Sequence, residues 1–424
     1  MAAYDYESRL ARPIRMKVAE FARDNQLRHM IFSNQLDRDL LEHLGYIADI
    51  IRVLARDKQG GDFLSSLLSH KRAMLYFTQP STRTFLSFAA ACQILGITYD
   101  EVRDPSVSSE AKGESPLDSI RTFSSYFDVI IMRSRTPRLA ETCAYLMNDL
   151  ENFHQRNVPI INAGSGADQH PSQALLDIYT LQRTFQFAGT DELYRQHVVP
   201  VMAGQESSEP TPTLKELRQQ PGMAELQTGL AGKTYGFCGD IGRGRTVRSL
   251  AQLLSLYEDV KFVFICPDHE KLKLNAELKR RLSESPNVKS LVELTSFEDL
   301  YEGKPVIEQL DALYMTRIQT EYDTAEDAET FAQIDFSNYK LSAELADRMK
   351  SYAPILHPFP RDAGFGEIPT DVDTNPRAMY FRQARNGMWI RAALMTMLFN
   401  VDRDLTRYYH RHFSEYSDYN EAIR

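Results

Sequence analysis

Short runs rich in β-branched and aromatic residues alternate along this chain with segments whose apolar residues have helical spacing. The runs span residues 73–77, 128–133, 158–162, 233–238, 261–266, 312–317 and 354–357. Strands separated by helices form parallel sheets with helices on their faces, because a parallel connection has to cross over the sheet. The sequence therefore predicts an α/β fold in which ligands bind at the carboxyl ends of the strands.

The pattern is interrupted between residues 186 and 232, where a polar, proline-containing stretch lies at 206–213. A chain of 424 residues with 43% hydrophobic side chains can bury two separate cores. We therefore predict two domains, each a parallel sheet flanked by helices, at residues 1–185 and 233–385. Residues 186–232 are interpreted as an insertion or linker, and residues 386–424 as a C-terminal helix and tail that pack back on the first domain.

Charge and composition argue against several classes of protein. The net charge of −9 argues against a nucleic-acid-binding surface. No apolar run approaches the roughly 20 residues that span a membrane, so we expect no membrane association and a cytoplasmic location. The cysteines lie far apart, which indicates buried reduced thiols rather than disulfides or a zinc site; they are Cys92, Cys143, Cys238 and Cys266.

The turn after the run at 73–77 has the features of an anion site. Ser81 is a natural N-cap, and the apolar spacing that follows indicates a helix. The N–H groups of a first helical turn and the helix dipole favour negative charge, and Arg83 adds a forked cation suited to phosphate. Thr82 and Thr84 complete this Ser-Thr-Arg-Thr segment, which also fits an ordinary capped helix start.

Further candidates follow two other strands of the first domain. Arg133 ends its strand, where it can reach a ligand in the crevice or form an interdomain salt bridge. His170 stands directly before a helix start at Pro171, and Gln173 lies near the same helix end. A histidine placed there can donate to an oxygen on which charge develops, although a helix cap fits equally well.

A proline-bounded loop at residues 105–116 is the remaining candidate in the first half of the chain. It contains Ser108, Lys112 and Gly113, and the loop can be held rigid or move as a unit. Lys112 is interpreted either as a ligand-binding cation or as a solvated surface lysine.

Polar residues also follow strands in the second half of the chain. Arg245 lies in a glycine-rich turn before a helix, and this turn lacks the Gly-x-Gly-x-x-Gly of a dinucleotide site. Arg317 ends a strand with Gln319 on the same side, which fits a ligand contact or a surface salt bridge. In Pro358-Phe359-Pro360 the prolines restrict the backbone and hold its carbonyls as fixed acceptors, as an ordinary proline-rich turn also would.

The candidates share a surplus of fixed cations, namely Arg83, Lys112, Arg133, Arg245 and Arg317. Such a set indicates small polyanionic ligands. The candidates include no cysteine, no carboxylate pair and no activated serine, so neither covalent catalysis nor metal-dependent hydrolysis is indicated. A site of this kind positions two anions and stabilises an oxyanion.

The order of these motifs resembles the aspartate/ornithine carbamoyltransferase family, and within it the catalytic chains of the aspartate branch. The resemblance covers most of the chain and rests on residues 81–84, 108 with 112–114, 133, 170–173, 245–246, 317–319 and 357–361. The ornithine branch fits less well, because it carries a cysteine in a His-Cys-Leu-Pro turn where this chain has Phe359 between prolines.

The resemblance implies a role for each candidate residue. Carbamoyl phosphate would bind the first domain, its phosphate held by Ser81, Thr82, Arg83, Thr84 and Arg133. His170 and Thr84 would polarise the carbamoyl oxygen, whereas Gln173 and the backbone carbonyls within Pro358-Phe359-Pro360 would hold the carbamoyl amino group. Aspartate would bind the second domain through Arg245, Arg317 and Gln319.

The same resemblance implies a homotrimer with shared active sites, in which Ser108 and Lys112 come from the neighbouring subunit. The expected catalytic residues are His170, Arg83, Thr84 and Lys112, and no metal or organic cofactor is expected. A regulatory chain is possible.

The resulting prediction is an enzyme of pyrimidine biosynthesis that carbamoylates L-aspartate with carbamoyl phosphate, giving N-carbamoyl-L-aspartate and phosphate. Two alternatives stay open, a transcarbamoylase for another amino acid and a catalytically weak homologue with a structural or regulatory role. Gln79 and Tyr322 depart from the family pattern and favour the second alternative.

Overall fold

The computed structural model describes residues 6–23, 26–104, 112–152, 155–164, 169–185, 229–319, 329–331, 334–362 and 364–413. The chain divides into two compact units. The first comprises Met1–Leu176 with Arg385–Arg411, and the second comprises Asp177–Ala384 with His412–Arg424.

The first unit contains a small antiparallel pair and a four-stranded parallel sheet. The pair consists of β1 (Ala22–Arg23) and β2 (Gln26–Leu27). The sheet consists of β3 (Arg72–Phe77), β4 (Thr98–Val102), β5 (Val129–Arg133) and β6 (Ile160–Asn162), in the spatial order β4-β3-β5-β6. Strand β5 is buried throughout, as expected for a central strand covered on both faces.

Helices flank this sheet and precede it in the chain. They are α1 (Tyr6–Ala11), α2 (Ile14–Lys17), α3 (Arg38–Leu54), α4 (Lys58–Leu67), α5 (Thr82–Ile94), α6 (Pro116–Tyr126) and α7 (Leu139–Asn152). Helix α8 (Pro171–Phe185) begins in the first unit and continues into the second at Asp177. Short polar residues begin several of these helices. Asp37 accepts the N–H of Leu40 at the start of α3, and Ser115 accepts the N–H of Asp118 at the start of α6.

The second unit is built on a five-stranded parallel sheet and a short hairpin. Its strands are β7 (Thr234–Cys238), β8 (Val260–Ile265), β9 (Val288–Leu294), β10 (Leu300–Tyr301), β11 (Lys304–Pro305), β12 (Ala312–Met315) and β13 (Ile355–Leu356). The sheet order is β13-β12-β7-β8-β9, and β10 pairs with β11. Its helices include α9 (Arg245–Leu254), α10 (Ala276–Ser283) and α11 (Ala343–Arg348).

Two helices follow, α12 (Tyr380–Leu398) and α13 (Asp402–His412). Helix α12 begins earlier than the apolar stretch at 388–399 that predicted it. Its first turns carry Tyr380 and Gln383, which are buried with hydrogen-bonded polar groups. Apolar spacing does not detect such residues, because their burial depends on partners elsewhere in the fold.

Each unit has its own hydrophobic core. In the first unit Met74, Ile130 and Ile160 from neighbouring strands pack with residues of α7. In the second unit Val263 and Leu313 belong to a separate cluster. The predicted α/β fold with two parallel sheets is therefore confirmed.

Every strand predicted from sequence is present, but β4 and β9 of the parallel sheets were missed, as were the two-residue strands β1, β2, β10 and β11. β4 is an edge strand with a polar Asp100-Glu101 pair, and edge strands carry a weaker apolar signal. Within the described residues no helix is long and apolar enough to cross a membrane. The predicted insertion at 186–232 lies outside the described residues up to position 228.

Candidate active site

In the first unit the segments that follow three strands meet at one edge of the sheet. Phe77 at the end of β3 pairs with Arg133 at the end of β5, and Met132 pairs with Asn162 at the end of β6. Because the strands are parallel, the turns after them emerge side by side. The Ser-Thr-Arg-Thr turn, Arg133 and the turn before α8 are thereby brought to the same edge.

The start of α5 matches the predicted anion site, with one difference. Ser81 occupies the N-cap position, but its hydroxyl donates to Thr84 Oγ1 at 3.0 Å instead of accepting a backbone N–H. The Ser81 side chain therefore leaves the N–H groups of the first turn for another acceptor. Thr84 is buried.

Arg83 stands in this first turn with its side chain exposed. Partial desolvation by neighbouring groups lowers the pKa of its guanidinium below the ordinary value, although the group stays protonated at neutral pH. A bound anion would offset this desolvation, so the position favours a phosphate-like ligand.

Arg133 and His170 are buried and contact each other. Arg133 Nη1 donates to the carbonyl of Ala163 at 3.2 Å and lies 3.5 Å from His170 Nε2. On the other side of the ring, His170 Nδ1 lies 3.4 Å from Ser172 Oγ, so both ring nitrogens have a polar neighbour. A cationic and an imidazole side chain therefore lie side by side at this sheet edge.

The turn that carries His170 is shaped by Gly164 and Asn162. Gly164 has φ +94°, and a Cβ there would lie 2.5 Å from His170 Cδ2 and 2.7 Å from Arg133 Nη1. Asn162 Oδ1 accepts the N–H of Gly164 at 2.9 Å, while its Nδ2 donates to the carbonyl of Gln169 at 3.2 Å. Sequence reasoning missed this role of Asn162, whose signal was an amide side chain at the last position of a strand.

Gln173 is also buried, in the first turn of α8, and its backbone N–H donates to the carbonyl of His170 at 3.0 Å. Gln79 precedes the anion site, and its N–H donates to the carbonyl of Arg133 at 3.1 Å. The bond from Gln79 ties the turn after β3 to the end of β5, whereas the bond from Gln173 lies within the start of α8.

In the second unit three turns also meet at one sheet edge. Met315 at the end of β12 pairs with Cys238 at the end of β7, and Tyr314 pairs with Leu356 at the end of β13. The turn that carries Arg245, the segment 316–319 and the turn at 357–360 therefore follow adjacent strands.

One of the predicted residues here, Gln319, is held by a carboxylate that sequence reasoning missed. The fully buried Asp240 accepts the N–H of Gln319 at 3.0 Å and the Nε–H of Arg243 at 2.9 Å. Its signal was an acidic residue directly after a buried strand. Strand β12 ends at Met315, so Arg317 lies in the following loop, where its Nη1 donates to the carbonyl of Ile318 at 3.3 Å.

The backbone of the Pro358-Phe359-Pro360 turn is restrained as expected, and a histidine adds to the restraint. Phe359 has φ +58°, an unusual conformation for a residue with a side chain. Its N–H donates to His357 Nδ1 at 2.8 Å. Rigid carbonyl acceptors follow from this geometry.

Other predicted residues are less informative. Lys112 is exposed, whereas Ser108 and Tyr322 lie outside the described residues. The cysteines are buried and unbridged, as predicted, and burial raises the pKa of Cys92 and Cys266 to about 12. The described parts of the chain contain no cluster of three side chains suited to a metal ion.

The fold and these two sheet edges define a two-unit α/β protein whose strand ends carry groups suited to anions and carbonyl oxygens. Two sequence profiles of one family match the chain. The profile described as "Aspartate/ornithine carbamoyltransferase, carbamoyl-P binding domain" matches residues 28–183, and the one described as "Aspartate/ornithine carbamoyltransferase, Asp/Orn binding domain" matches residues 231–398. The chain belongs to the aspartate/ornithine carbamoyltransferase family.

Proteins similar in sequence to this chain include plant and bacterial aspartate carbamoyltransferases. The chloroplastic aspartate carbamoyltransferase of Oryza sativa subsp. japonica is 34% identical, with 88% of this chain and 85% of the relative covered. The aspartate carbamoyltransferase catalytic subunit of Vibrio campbellii is 33% identical, with 88% and 97% covered.

Solved structures of aspartate transcarbamoylases also match. The catalytic subunit from M. jannaschii has 30% identity and a TM-score of 0.64, with 88% of this chain and 98% of the other covered. The Trypanosoma cruzi enzyme in complex with carbamoyl phosphate and aspartate has 27% identity and a TM-score of 0.65, with 88% and 96% covered.

Proposed function

We propose that this chain transfers the carbamoyl group of carbamoyl phosphate to the amino group of L-aspartate, giving N-carbamoyl-L-aspartate and phosphate. The observation that carries the proposal is the edge of the first sheet, where a helix start with Arg83 adjoins the buried pair of Arg133 and His170. A phosphate and an adjacent polarised carbonyl are the chemistry that such a pair of subsites fits. The reaction is a step of pyrimidine biosynthesis.

In this reaction the aspartate amine attacks the carbamoyl carbon and a C–N bond forms. The bond between the carbamoyl carbon and the oxygen that bridges to phosphorus breaks, and its electron pair leaves with phosphate. The amine nitrogen loses one proton, which passes to the departing phosphate or to water. Negative charge gathers on the carbamoyl oxygen and on the departing phosphate. Both charges need fixed donors, so positioning and electrostatic stabilisation supply the catalysis.

We assign the phosphate to Ser81, Thr82, Arg83, Thr84 and Arg133. His170 and Thr84 donate to the carbamoyl oxygen, and Gln173 with the carbonyls of Pro358, Phe359 and Pro360 holds the amino group. Donors at a helix start and at a strand end support this assignment, because they stay in place as charge develops.

We assign the aspartate carboxylates to Arg245, Arg317 and Gln319. Asp240 supports this role, because its bond to the Gln319 N–H holds that segment at a defined position. Arginine matches a carboxylate through two parallel N–H bonds, which suits a substrate with two carboxylates.

The proposal also covers the oligomeric state, the domain boundaries and the cellular location. We propose a homotrimer in which Ser108 and Lys112 reach the neighbouring subunit's ligand, a domain division at residues 1–185 and 233–385, and a cytoplasmic location. A regulatory chain remains compatible with this arrangement. The exposed position of Lys112 supports its role, since a residue that acts on a neighbour has to lie at the surface.

A steady-state assay of phosphate release tests the reaction. Carbamoyl phosphate is supplied with aspartate, with ornithine or with no amine, and carbamoylated product is measured in parallel. We expect phosphate and N-carbamoyl-L-aspartate in equal amounts with aspartate alone. Product with ornithine instead would indicate a transcarbamoylase for another amino acid, and no product with any amine would indicate a structural or regulatory homologue.

A further inference from the structure

The Pro358-Phe359-Pro360 turn is backed by buried polar side chains to which the proposed reaction assigns no role. Each is at most 2% exposed, and hydrogen bonds join them into one array within the second unit. The array consists of His357, Glu367, Gln383, Asp177 and Tyr314.

The hydrogen bonds of His357 define its tautomer. Nδ1 lies 2.8 Å from the N–H of Phe359 and therefore accepts, so it carries no proton. The proton lies on Nε2, which donates to Glu367 Oε1 at 2.8 Å. Glu367 also accepts the backbone N–H of Asp362 at 3.1 Å, which holds the carboxylate in place. The carboxylate thus selects the form of the imidazole that can accept from Phe359.

A second branch holds the backbone of His357. The His357 N–H donates to Gln383 Oε1 at 2.8 Å, so the amide nitrogen of Gln383 must face the other way. That nitrogen donates to Asp177 Oδ1 at 2.6 Å, and Asp177 Oδ2 accepts from the Tyr314 hydroxyl at 2.8 Å. Each amide, carboxylate and hydroxyl in this branch therefore has one consistent orientation.

The array stabilises a backbone conformation of Phe359 that is unfavourable by itself. A residue other than glycine at φ +58° carries a cost of about 1 kcal/mol or more. Phe359 keeps this conformation although its side chain is only half-buried. The bond from its own N–H to His357 Nδ1 is the contact that acts directly on this peptide.

We propose that His357, oriented by Glu367, is a positioning residue that aims the carbonyls of Pro358-Phe359-Pro360 at the amino group of carbamoyl phosphate. The inference rests on the proposed function, which places that amino group against these carbonyls. Its consequence is selectivity: fixed acceptors favour a ligand that presents N–H donors over one that presents a methyl group.

Acetyl phosphate provides the comparison, since it keeps the phosphate and the carbonyl and replaces the amino group by methyl. His357→Asn and His357→Gln form a matched pair of variants. The Asn Oδ1 replaces Nδ1 and can accept the N–H two residues on, as in an Asx turn. The longer Gln instead reaches toward Glu367 and leaves the N–H of Phe359 without that acceptor.

Calorimetric titration measures the ratio of the dissociation constants of acetyl phosphate and carbamoyl phosphate. In His357→Gln we expect this ratio, the preference for carbamoyl phosphate, to fall about tenfold while the affinity for acetyl phosphate stays unchanged. In His357→Asn we expect the wild-type preference to be retained. An unchanged preference in His357→Gln, or equal weakening of both ligands, overturns the proposal. Wild-type protein that binds no carbamoyl phosphate would instead refute the proposed function.

Glu367 supplies an independent pair in case His357→Gln does not fold. Glu367→Gln keeps an oxygen that accepts from His357 Nε2, whereas Glu367→Leu removes it and frees the imidazole to carry its proton on Nδ1. We expect the ligand preference to survive in Glu367→Gln and to fall about tenfold in Glu367→Leu. The same preference in both variants overturns the proposal.

Discussion

The arginines that lie after strands differ in whether their charge is paired with a carboxylate of the same chain or is a candidate for binding a ligand. Arg361 forms a two-pronged pair with Asp373, at 2.6 and 3.1 Å, and is thereby a structural cation. Arg83 is exposed at a helix start in one unit, and Arg317 lies in the loop after β12 in the other. The last two are therefore suited to recognise different anions.

Arg83→Ala and Arg317→Ala are expected to separate the two substrates. Each removes charge-assisted hydrogen bonds worth roughly 1.5–3 kcal/mol, or about ten- to a hundredfold in affinity. Arg83→Ala should weaken carbamoyl phosphate binding in calorimetry. Arg317→Ala should leave that binding nearly intact and raise the KM for aspartate. Each variant is the control for the other, and loss of carbamoyl phosphate binding in Arg317→Ala would contradict the assignment.

A buried histidine makes stability depend on pH. His29 Nδ1 accepts the N–H of Ile160 at 3.0 Å, and Nε2 lies 3.2 Å from Asn148 Oδ1. Burial lowers the pKa of His29 from 6.5 to about 3. The unfolded chain therefore binds a proton that the folded chain excludes between these values, so stability falls as the pH drops below about 6.5.

His29→Gln removes this proton uptake. The wild-type free energy of unfolding should fall by roughly 3 kcal/mol more than that of His29→Gln between pH 7 and pH 4. Urea unfolding at both pH values measures the difference. His70→Gln changes an exposed histidine and is the matched control. A pH dependence of His29→Gln equal to that of the wild type would show that His29 is not the responsible group.

At the scale of elements, the turn from β6 to α8 combines tight packing with site chemistry. Gly164 leaves just enough space for His170 and Arg133, as its close Cβ distances show. The N-terminal helices α1 and α2 perform a different task, because they pack on the helix α7 through buried and half-buried ion pairs. Arg9 pairs with Asp149 at 2.8 Å, and Lys17 pairs with Glu141 at 2.5 Å.

Gly164→Ala is expected to abolish most activity by displacing His170 and Arg133. Gly303→Ala is the matched control, since Gly303 has a similar φ of +84° against +94° and no atom within 4 Å of an added Cβ. Both substitutions carry the same backbone strain, so only the contact with the site differs. Turnover numbers and carbamoyl phosphate affinity measure the effect. Equal turnover of the two variants would exclude a steric role for Gly164.

Lys17→Met is expected to lower the free energy of unfolding by roughly 3 kcal/mol, because it removes the nearest cation from the buried Glu141 carboxylate and leaves the longer pair with Arg138 at 3.9 Å. The Lys17 and Glu141 side chains are only 2% and 5% exposed. A double variant with Glu141→Gln should recover part of the loss. Lys58→Met, at an exposed position, controls for the change of charge. Equal effects of Lys17→Met and Lys58→Met in urea titrations would contradict a buried pair.

At the scale of the whole molecule, the net charge of −9 means that anionic substrates bind through local cations and against the overall field. Local clusters at strand ends supply these cations. If Lys112 also acts on a neighbouring chain, activity becomes a property of the assembly rather than of one chain.

Hybrid trimers test that dependence. Arg83→Ala chains and Lys112→Ala chains are each expected to be inactive alone. After dissociation, mixing in equal amounts and reassembly, every mixed trimer contains one interface with an intact Arg83 and an intact Lys112. Random assortment in a threefold ring predicts recovery of roughly a quarter of wild-type activity. Mixed trimers without any recovered activity would show that Lys112 is a solvated surface residue.

Local order along the chain was sufficient to predict the α/β class, the central strands including the one that ends at Arg133, and the turns that carry Arg83 and His170. Arg317 was expected at a strand end and lies two residues beyond it. The apolar patterns and the polar residues at strand ends that indicate these features involve residues only a few positions apart, because secondary structure and turn chemistry are local. The edge strand β4 was not predicted, because most of its side chains are exposed and it lacks the apolar pattern of a buried strand.

The residues that hold the site in place became visible only in the folded chain. Asp240 meets Gln319 across 79 positions, and Gln383 meets Asp177 across 206. A buried amide or carboxylate looks like any other polar residue in the sequence, since its partner is chosen by strand order and helix packing. Motifs thus indicate candidate groups for ligand binding, whereas long-range hydrogen bonds, which form only when the sheets assemble, decide how the segments that carry these groups are oriented.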